Sequence, residues 1–291
     1  MPSYPIEVLN PALVRGHIRH ALFDFDGTLS LIRQGWREVM VPLGVEVLRA
    51  LETGESEAAL EAEVAAFVDR LTGKETVYQM RALCDAVRAR GGTPQDPLAY
   101  KRIYLDRLWD RISGRIAALT AGKVSPEAWT VPGATGMLEG LRARGVTCYL
   151  ASGTDEPDVI NEARLLGLAP HFAGIYGARD ADPSSSKQQV IARILREHAL
   201  RGEELCVFGD GFVEIEEAKA VSGIAVGVAT DEVALRPGAA ALAAAPGRPD
   251  PWKRERLARA GADLIVPDFR AHTALTAFLF AEEETDALSR F

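Results

Sequence analysis

The sequence predicts an α/β protein in which a parallel sheet is covered by helices on both faces and the chain is interrupted by one all-helical insertion. Two observations predict this architecture. In the second half of the chain, short apolar runs alternate with helical stretches, which is typical of parallel strands joined by helices. Between about Trp36 and Gly122, by contrast, only helical periodicity occurs, over a length typical of a domain.

The first strand and its loop are predicted within residues 19–30. The apolar run Ala21-Leu22-Phe23 leads into Asp24, Asp26 and a Gly-Thr turn, a pattern typical of a buried strand at its carboxyl end. Ligands bind at that end of open α/β sheets. Because two carboxylates are costly to bury unless a cation or a proton-transfer role requires them, we expect both acids to lie in a functional site.

The insertion and the later strands are predicted from periodicity. Apolar side chains recur at helical spacing in three segments of the insertion: 60–71, 77–87 and 105–119. Strands are predicted at five apolar segments after Pro132-Gly133: 146–151, 174–176, 205–208, 224–228 and 264–266. Residues 236–251 are rich in Ala, Pro and Gly and predict an irregular surface segment. The charged run Lys253–Arg256 is expected to be a solvated helix face, and Trp36 and Trp109 are expected in the core of the insertion.

Composition limits the possible partners and the compartment. The net charge of −8 argues against nucleic acid or an anionic membrane as a partner, and no apolar run predicts a membrane span or a signal peptide. The three cysteines, Cys84, Cys148 and Cys206, lack paired spacing and are expected to be buried thiols. Such sparse cysteines indicate a reducing compartment, so we expect a cytoplasmic protein.

Polar side chains occur at four points of this predicted architecture. Two acids and a threonine follow the first strand, a serine follows the second, a lysine begins a helix, and two acids four residues apart follow another strand. These residues are Asp24, Asp26, Thr28, Ser152, Lys187, Asp210 and Glu214. Clustered carboxylates with few histidines and no paired cysteines favour a hard cation, and Mg²⁺ fits best.

This set of side chains suits phosphoryl transfer. Mg²⁺ held by one or two carboxylates and a substrate phosphate is typical of that chemistry. One carboxylate can attack phosphorus and form an aspartyl-phosphate, while a second protonates the leaving oxygen and later accepts a proton from water. Ser152 and Lys187 can hold the phosphoryl oxygens and offset developing charge.

The same residues resemble the four motifs of phosphohydrolases of the haloacid dehalogenase superfamily, in order and over essentially the whole chain. Asp24-Phe25-Asp26-Gly27-Thr28 is similar to the first motif, Ser152 to the second, Lys187 to the third, and Gly209-Asp210 with Glu214 to the fourth. The subfamily resembled is the phosphoglycolate phosphatase and beta-phosphoglucomutase-like one, in which a helical cap is inserted directly after the first motif.

The resemblance implies a Rossmann-like three-layer core formed by residues 1–32 and 124–291 and a helical cap domain formed by residues 33–123. Closure of such a lid excludes water and positions the substrate. Residues 71–79 lie between two cap helices and resemble the loop that reads the substrate in capped relatives, which makes Lys74 a candidate substrate contact.

The resemblance also implies a role for each motif residue. Asp24 is expected to be the nucleophile and Asp26 the general acid and base, with Ser152 and Lys187 also in the catalytic set. The expected substrate-binding residues are Thr28, Ser152, Gly153, Lys187 and Lys74, and the expected Mg²⁺ ligands are Asp24, the backbone carbonyl of Asp26, Asp210 and Glu214. The fourth motif often ends in Asp, so the longer Glu214 side chain leaves open whether it reaches the metal directly or through water.

The function predicted from the sequence is a Mg²⁺-dependent phosphatase for a small phosphorylated metabolite, such as a sugar phosphate or a short organic-acid phosphate. A sugar phosphomutase of the same fold and a non-catalytic binding or regulatory relative remain alternatives. The sequence is compatible with a monomer or a homodimer and predicts neither the exact substrate nor the cap residues that select it.

Overall fold

The computed structural model describes residues 6–180, 186–235 and 247–282, and within them it confirms the α/β fold class. The strands are β1 (Glu7–Val8), β2 (His20–Phe23), β3 (Thr147–Asp155), β4 (Phe172–Ala178), β5 (Leu205–Gly209), β6 (Ile224–Val228) and β7 (Leu264–Val266). They form one sheet in the order β1-β7-β6-β5-β2-β3-β4. All neighbouring strands are parallel except β1, which pairs antiparallel with β7.

The helices cover both faces of this sheet. The helices after β3 are α6 (Glu156–Leu165), α7 (Lys187–Glu197), α8 (Phe212–Ala220), α9 (Pro251–Arg259) and α10 (His272–Leu279), and α5 (Ala134–Arg142) precedes β3. Successive side chains of a strand point to opposite faces, and accordingly Leu22 and Phe23 belong to two different hydrophobic clusters. Helices α5, α6 and α10 pack on the cluster that contains Phe23, while α7, α8 and α9 pack on the other.

The all-helical insertion is confirmed between β2 and β3. It contains α1 (Arg37–Arg49), α2 (Glu57–Arg70), α3 (Thr76–Ala89) and α4 (Pro97–Thr120). Its apolar side chains are buried together, as the helical periodicity predicted. Trp36 is half-buried, but Trp109 is 55% exposed, so the expectation that Trp109 lies in this core is wrong.

Several smaller expectations have different outcomes. All three cysteines are buried free thiols, as predicted. Strand β1 was not predicted, because two residues carry no periodicity. Most of the predicted irregular segment, residues 236–246, lies outside the described residues. No described helix combines the length and the apolar character that crossing a bilayer requires.

The register of the central strands determines where the motif residues meet. Phe23 of β2 pairs with Leu150 of β3 on one side and with Phe208 of β5 on the other. The rings of Phe23 and Phe208 stack with centroids 4.4 Å apart. The backbone N–H of Asp24 continues the pairing by donating to the carbonyl of Phe208 over 2.9 Å. The chain segments that follow these three strands therefore emerge side by side at one edge of the sheet.

Candidate active site

The carboxyl ends of β2, β3 and β5 meet the insertion at a cavity of about 90 Å³. Seven of the residues predicted for the site line it: Asp24, Asp26, Lys74, Ser152, Gly153, Lys187 and Asp210. Thr28 and Glu214, the remaining two, are fully buried beside them. The structure thus brings together every predicted site residue, although their roles remain predictions.

Asp24 is a buried carboxylate held by a cation and a hydroxyl. The Lys187 ammonium donates to its Oδ1 over 2.7 Å, and the Thr28 hydroxyl donates to its Oδ2 over 3.0 Å. A buried carboxylate needs such partners to remain ionised. These contacts fix the orientation of the group that is predicted to attack phosphorus.

Thr28 connects the first motif to the fourth. Its hydroxyl donates to Asp24 and accepts a hydrogen bond from the backbone N–H of Asp210 over 3.0 Å. Gly27, at φ +78°, allows the close approach, because a Cβ there would lie 2.2 Å from Asp210 Oδ2. Thr28 therefore positions Asp24 and Asp210 through hydrogen bonds, whereas the sequence predicted it as a substrate contact.

Asp26 has different surroundings from Asp24. Its Oδ2 accepts hydrogen bonds from the hydroxyls of Thr154, over 2.7 Å, and Ser152, over 3.3 Å. Its Oδ1 is buried without a hydrogen-bond partner among the described residues. Burial raises the pKa of Asp26 to about 6, with the Arg33 guanidinium acting in the opposite direction. A carboxyl group with such a pKa can exchange a proton near neutral pH.

Thr154 was missed by the sequence analysis. It lies two residues after Ser152 in β3, so both side chains point to the same face of the strand. Its hydroxyl is the closer of the two donors to Asp26. The strand period of two residues, applied beyond the second motif, would have identified it.

Lys187 joins the first and fourth motifs through charge. It is the first residue of α7, where a positive charge opposes the helix dipole. Its ammonium contacts the carboxylates of both Asp24 and Glu214, which compensate for that position. Glu214 Oε2 is buried and has no partner among the described residues. Glu214 thus lies against the ammonium, and its contact with a metal stays a prediction.

The loop of the insertion approaches the site closely at two points. A Cβ on Gly153 would lie 2.8 Å from the Lys74 carbonyl, and one on Gly73 would lie 3.1 Å from Glu214 Oε1. The Lys74 side chain is exposed, and its ammonium lies 5.9 Å from the centre of the Tyr78 ring. The predicted loop therefore packs against the second and fourth motifs through backbone contacts.

Further residues of the insertion segment also line the cavity: Arg33, Trp36, Thr72, Gly73, Thr76, Gln79 and Tyr104. Arg33 is buried and donates to Glu162 through Nε, over 3.0 Å, and Nη2, over 2.7 Å. It also forms an ion pair with Asp158. Because both acids belong to α6, these contacts join the insertion segment to the sheet domain.

Lys253 contradicts the expectation of a solvated face for residues 253–256. Its ammonium lies 2.7 Å from Asp210 Oδ2 and 2.7 Å from Glu232 Oε1. Arg256 is also partly buried, with its guanidinium 4.2 Å from the centre of the Trp252 ring. The position of Lys253 near the start of a helix could have indicated that it lies close to the site. Helices that follow parallel strands begin at the edge of the sheet where the site lies.

The fit of a metal ion rests on Asp24 and Asp210. Burial raises the pKa of Asp210, and the nearby charge of Asp24 raises it further. A divalent cation between two such carboxylates would relieve their repulsion. Within the described ranges, no group of three or more His, Cys, Asp or Glu side chains could hold a metal. Mg²⁺ often uses only one or two carboxylates with waters and substrate oxygens, so this donor set fits it.

Comparison with known proteins agrees with this geometry. The profile of a hydrolase family described as haloacid dehalogenase-like hydrolase matches residues 18–222, which include the four motifs and the helical insertion. This range is more than half of the chain. No curated protein sequence matches this chain.

Solved structures show the same fold at low sequence identity. A predicted phosphoglycolate phosphatase from Haemophilus somnus has a TM-score of 0.55 at 15% identity, over 89% of this chain and 98% of that chain. A putative beta-phosphoglucomutase from Bacteroides vulgatus has a TM-score of 0.56 at 15% identity, over 93% and 92%. A beta-phosphoglucomutase from Clostridium difficile has a TM-score of 0.51 at 12% identity, over 83% and 98%. At these identities the likeness concerns the fold alone.

Proposed function

The chain belongs to the haloacid dehalogenase-like hydrolase family, and from that premise we propose that it is a Mg²⁺-dependent phosphatase acting on a small phosphomonoester. The observation that carries the proposal is the contrast between the two acids of the first motif. Asp24 lies beside an ammonium, whereas Asp26 is held by hydroxyls and has a pKa of about 6. Such different surroundings support different roles for the two carboxyl groups, with Asp24 as the nucleophile and Asp26 as the proton carrier.

The first half-reaction uses both acids. A carboxylate oxygen of Asp24 attacks phosphorus, and the bond from phosphorus to the ester oxygen breaks as the aspartyl-phosphate forms. Protonated Asp26 gives its proton to the departing ester oxygen, so the alcohol leaves uncharged. Lys187 and the Ser152 hydroxyl bind the oxygens of the phosphoryl group during the transfer.

The second half-reaction reverses the role of Asp26. Its carboxylate accepts a proton from water, the water oxygen attacks phosphorus, and the bond between phosphorus and Asp24 breaks to release phosphate. Asp26 Oδ1, which is buried and has no hydrogen-bond partner among the described residues, can accept this proton. Both acids then return to their starting protonation states.

Asp24, the backbone carbonyl of Asp26 and Asp210 would hold Mg²⁺, with Glu214 nearby. When bound, the ion would supply Lewis-acid stabilisation of the phosphoryl oxygens. The buried thiols accord with the proposed cytoplasmic location.

We assign the helical insertion, residues 33–123, the role of a cap. Its loop contacts two motifs and its side chains complete the cavity wall. The cavity of about 90 Å³ lies well below the roughly 300–1,000 Å³ of pockets for drug-sized ligands. A substrate with a short body, such as a sugar phosphate or a short organic-acid phosphate, suits that size.

Phosphate release from a panel of phosphorylated sugars and short organic acids, with Mg²⁺ present, tests the proposal. We expect Asp24→Asn to lower turnover by at least about 10⁴-fold, because the nucleophile is lost. Full activity of that variant would contradict the mechanism. Isomer exchange of a hexose 1-phosphate without free phosphate would identify a mutase instead. Tight ligand binding without any turnover would identify a non-catalytic relative.

A further inference from the structure

A second and larger cavity opens onto the site from the side of Asp210. Its volume is about 490 Å³, and it shares Trp36, Thr72 and Asp210 with the small cavity. Lys253 and Glu232 also line it. A cation that approaches Asp210 through this cavity therefore meets the Lys253 ammonium.

Lys253 is held firmly in this position. Its ammonium lies 2.7 Å from both Asp210 Oδ2 and Glu232 Oε1, and the three side chains are 13%, 11% and 19% exposed. Its backbone N–H donates to the Asp250 side chain, which caps α9. Charges that are largely removed from water need partners, and each charge has one here.

The Lys253 ammonium already pairs with the Asp210 carboxylate, which a metal would need as a ligand. One oxygen of Asp210 is occupied, and a divalent ion beside it would be repelled by the positive charge of Lys253. Glu232 offers the ammonium a second carboxylate, so Lys253 keeps a partner if Asp210 turns to a metal.

We propose that Lys253, anchored by Glu232, is a built-in competitor for the divalent metal at Asp210 and sets the metal affinity of this centre. This inference rests on the proposed function, because it requires Asp210 to be a metal ligand. Its consequence is a metal site that is neutralised by the chain itself when no ion is bound.

Calorimetric titration of the substrate-free full chain with Mg²⁺, repeated with Mn²⁺, tests the proposal. We expect Lys253→Met and Lys253→Gln to bind the ion at least about tenfold more tightly than the wild type, since a like charge has been removed. Lys219→Met is the matched control, because Lys219 pairs with Asp263 over 2.8 Å at the opposite end of the sheet. That variant should bind metal as the wild type does.

The outcomes separate this inference from the proposed function. Equal or weaker binding by both Lys253 variants, with circular dichroism showing a folded chain, would overturn the competitor role while leaving the metal site intact. Absence of binding in the wild type and in both variants would overturn the metal site itself and the competitor with it. Binding by the Lys253 variants alone would support the proposal most strongly. Asp210→Asn should abolish binding in every background.

Discussion

Two lysines lie in the first turns of helices at the same edge of the sheet, and each lies between two carboxylates. Lys187, the first residue of α7, contacts Asp24 and Glu214, whereas Lys253, in the first turn of α9, contacts Asp210 and Glu232. Both Asp24 and Asp210 are proposed metal ligands, but Asp24 is also the proposed nucleophile, whereas Asp210 is proposed to bind the metal only. The same local arrangement therefore has different expected uses, and the acid that each lysine contacts determines which.

The largest expected difference is in turnover after Lys187 is removed. Lys187→Met should lower kcat by about 10²–10³-fold, because the positive charge that binds the phosphoryl oxygens is lost. Added Mg²⁺ should not restore the rate. Steady-state kinetics across a metal titration measures this, and recovery at high Mg²⁺ would show that the two lysines are interchangeable.

The second largest expected difference between the two lysines is the loss of stability when each is removed. Removing one partner of a buried ion pair lowers the free energy of unfolding by about 3–5 kcal/mol. Because the Lys253 cluster is partly exposed, Lys253→Met should lower it by less than that. For Lys253→Met, added Mg²⁺ should raise Tm more than it does in the wild type, because the ion replaces the lost cation at Asp210. Thermal melts with and without Mg²⁺ measure this, and an equal rise in Tm for both proteins would contradict it.

The pH dependence of the reaction should report on Asp26. Because burial raises the pKa of Asp26 to about 6, its proton is present below that pH and is lost above it. If leaving-group protonation limits the rate, kcat/KM should fall about tenfold per pH unit above this value. A substrate with a good leaving group should show a weaker fall. Profiles that are identical for good and poor leaving groups would argue against Asp26 as the acid.

The smallest effect is expected from Thr154, the closer hydroxyl donor to Asp26. The Thr154 hydrogen bond lowers the pKa of Asp26, so Thr154→Val should move the falling limb of the pH profile upward. The rate at low pH should drop by only about tenfold, as expected for the loss of one positioning hydrogen bond. Thr120→Val, on the exposed end of α4, is a matched control that should leave the profile unchanged.

The sequence predicted what depends on local spacing. An apolar strand followed by polar residues identified Asp24, Ser152 and Asp210, since parallel strands bring their carboxyl ends together. Helical periodicity likewise predicted the insertion. These features need no knowledge of which distant segments touch.

The sequence could not predict contacts that depend on the packing of distant segments. Lys253 contacts Asp210, which lies 43 residues earlier in the chain, and the charged run around Lys253 is typical of an exposed helix. Trp109 was expected in the core and is exposed, which is the opposite error. Helical spacing did not reveal which face of α4 is left uncovered.

In the proposed mechanism, Asp24 carries the phosphoryl group during turnover. To test this, the enzyme is mixed with a phosphomonoester that it hydrolyses and is quenched with acid during turnover. The masses of its peptides are then measured. We expect one added phosphoryl group on the peptide that contains Asp24. With a substrate that has a good leaving group, more should accumulate in Asp26→Asn, because water attack is then slowed more than formation of the aspartyl-phosphate. Phosphate release with no labelled Asp24, or with the label on another residue, would contradict it.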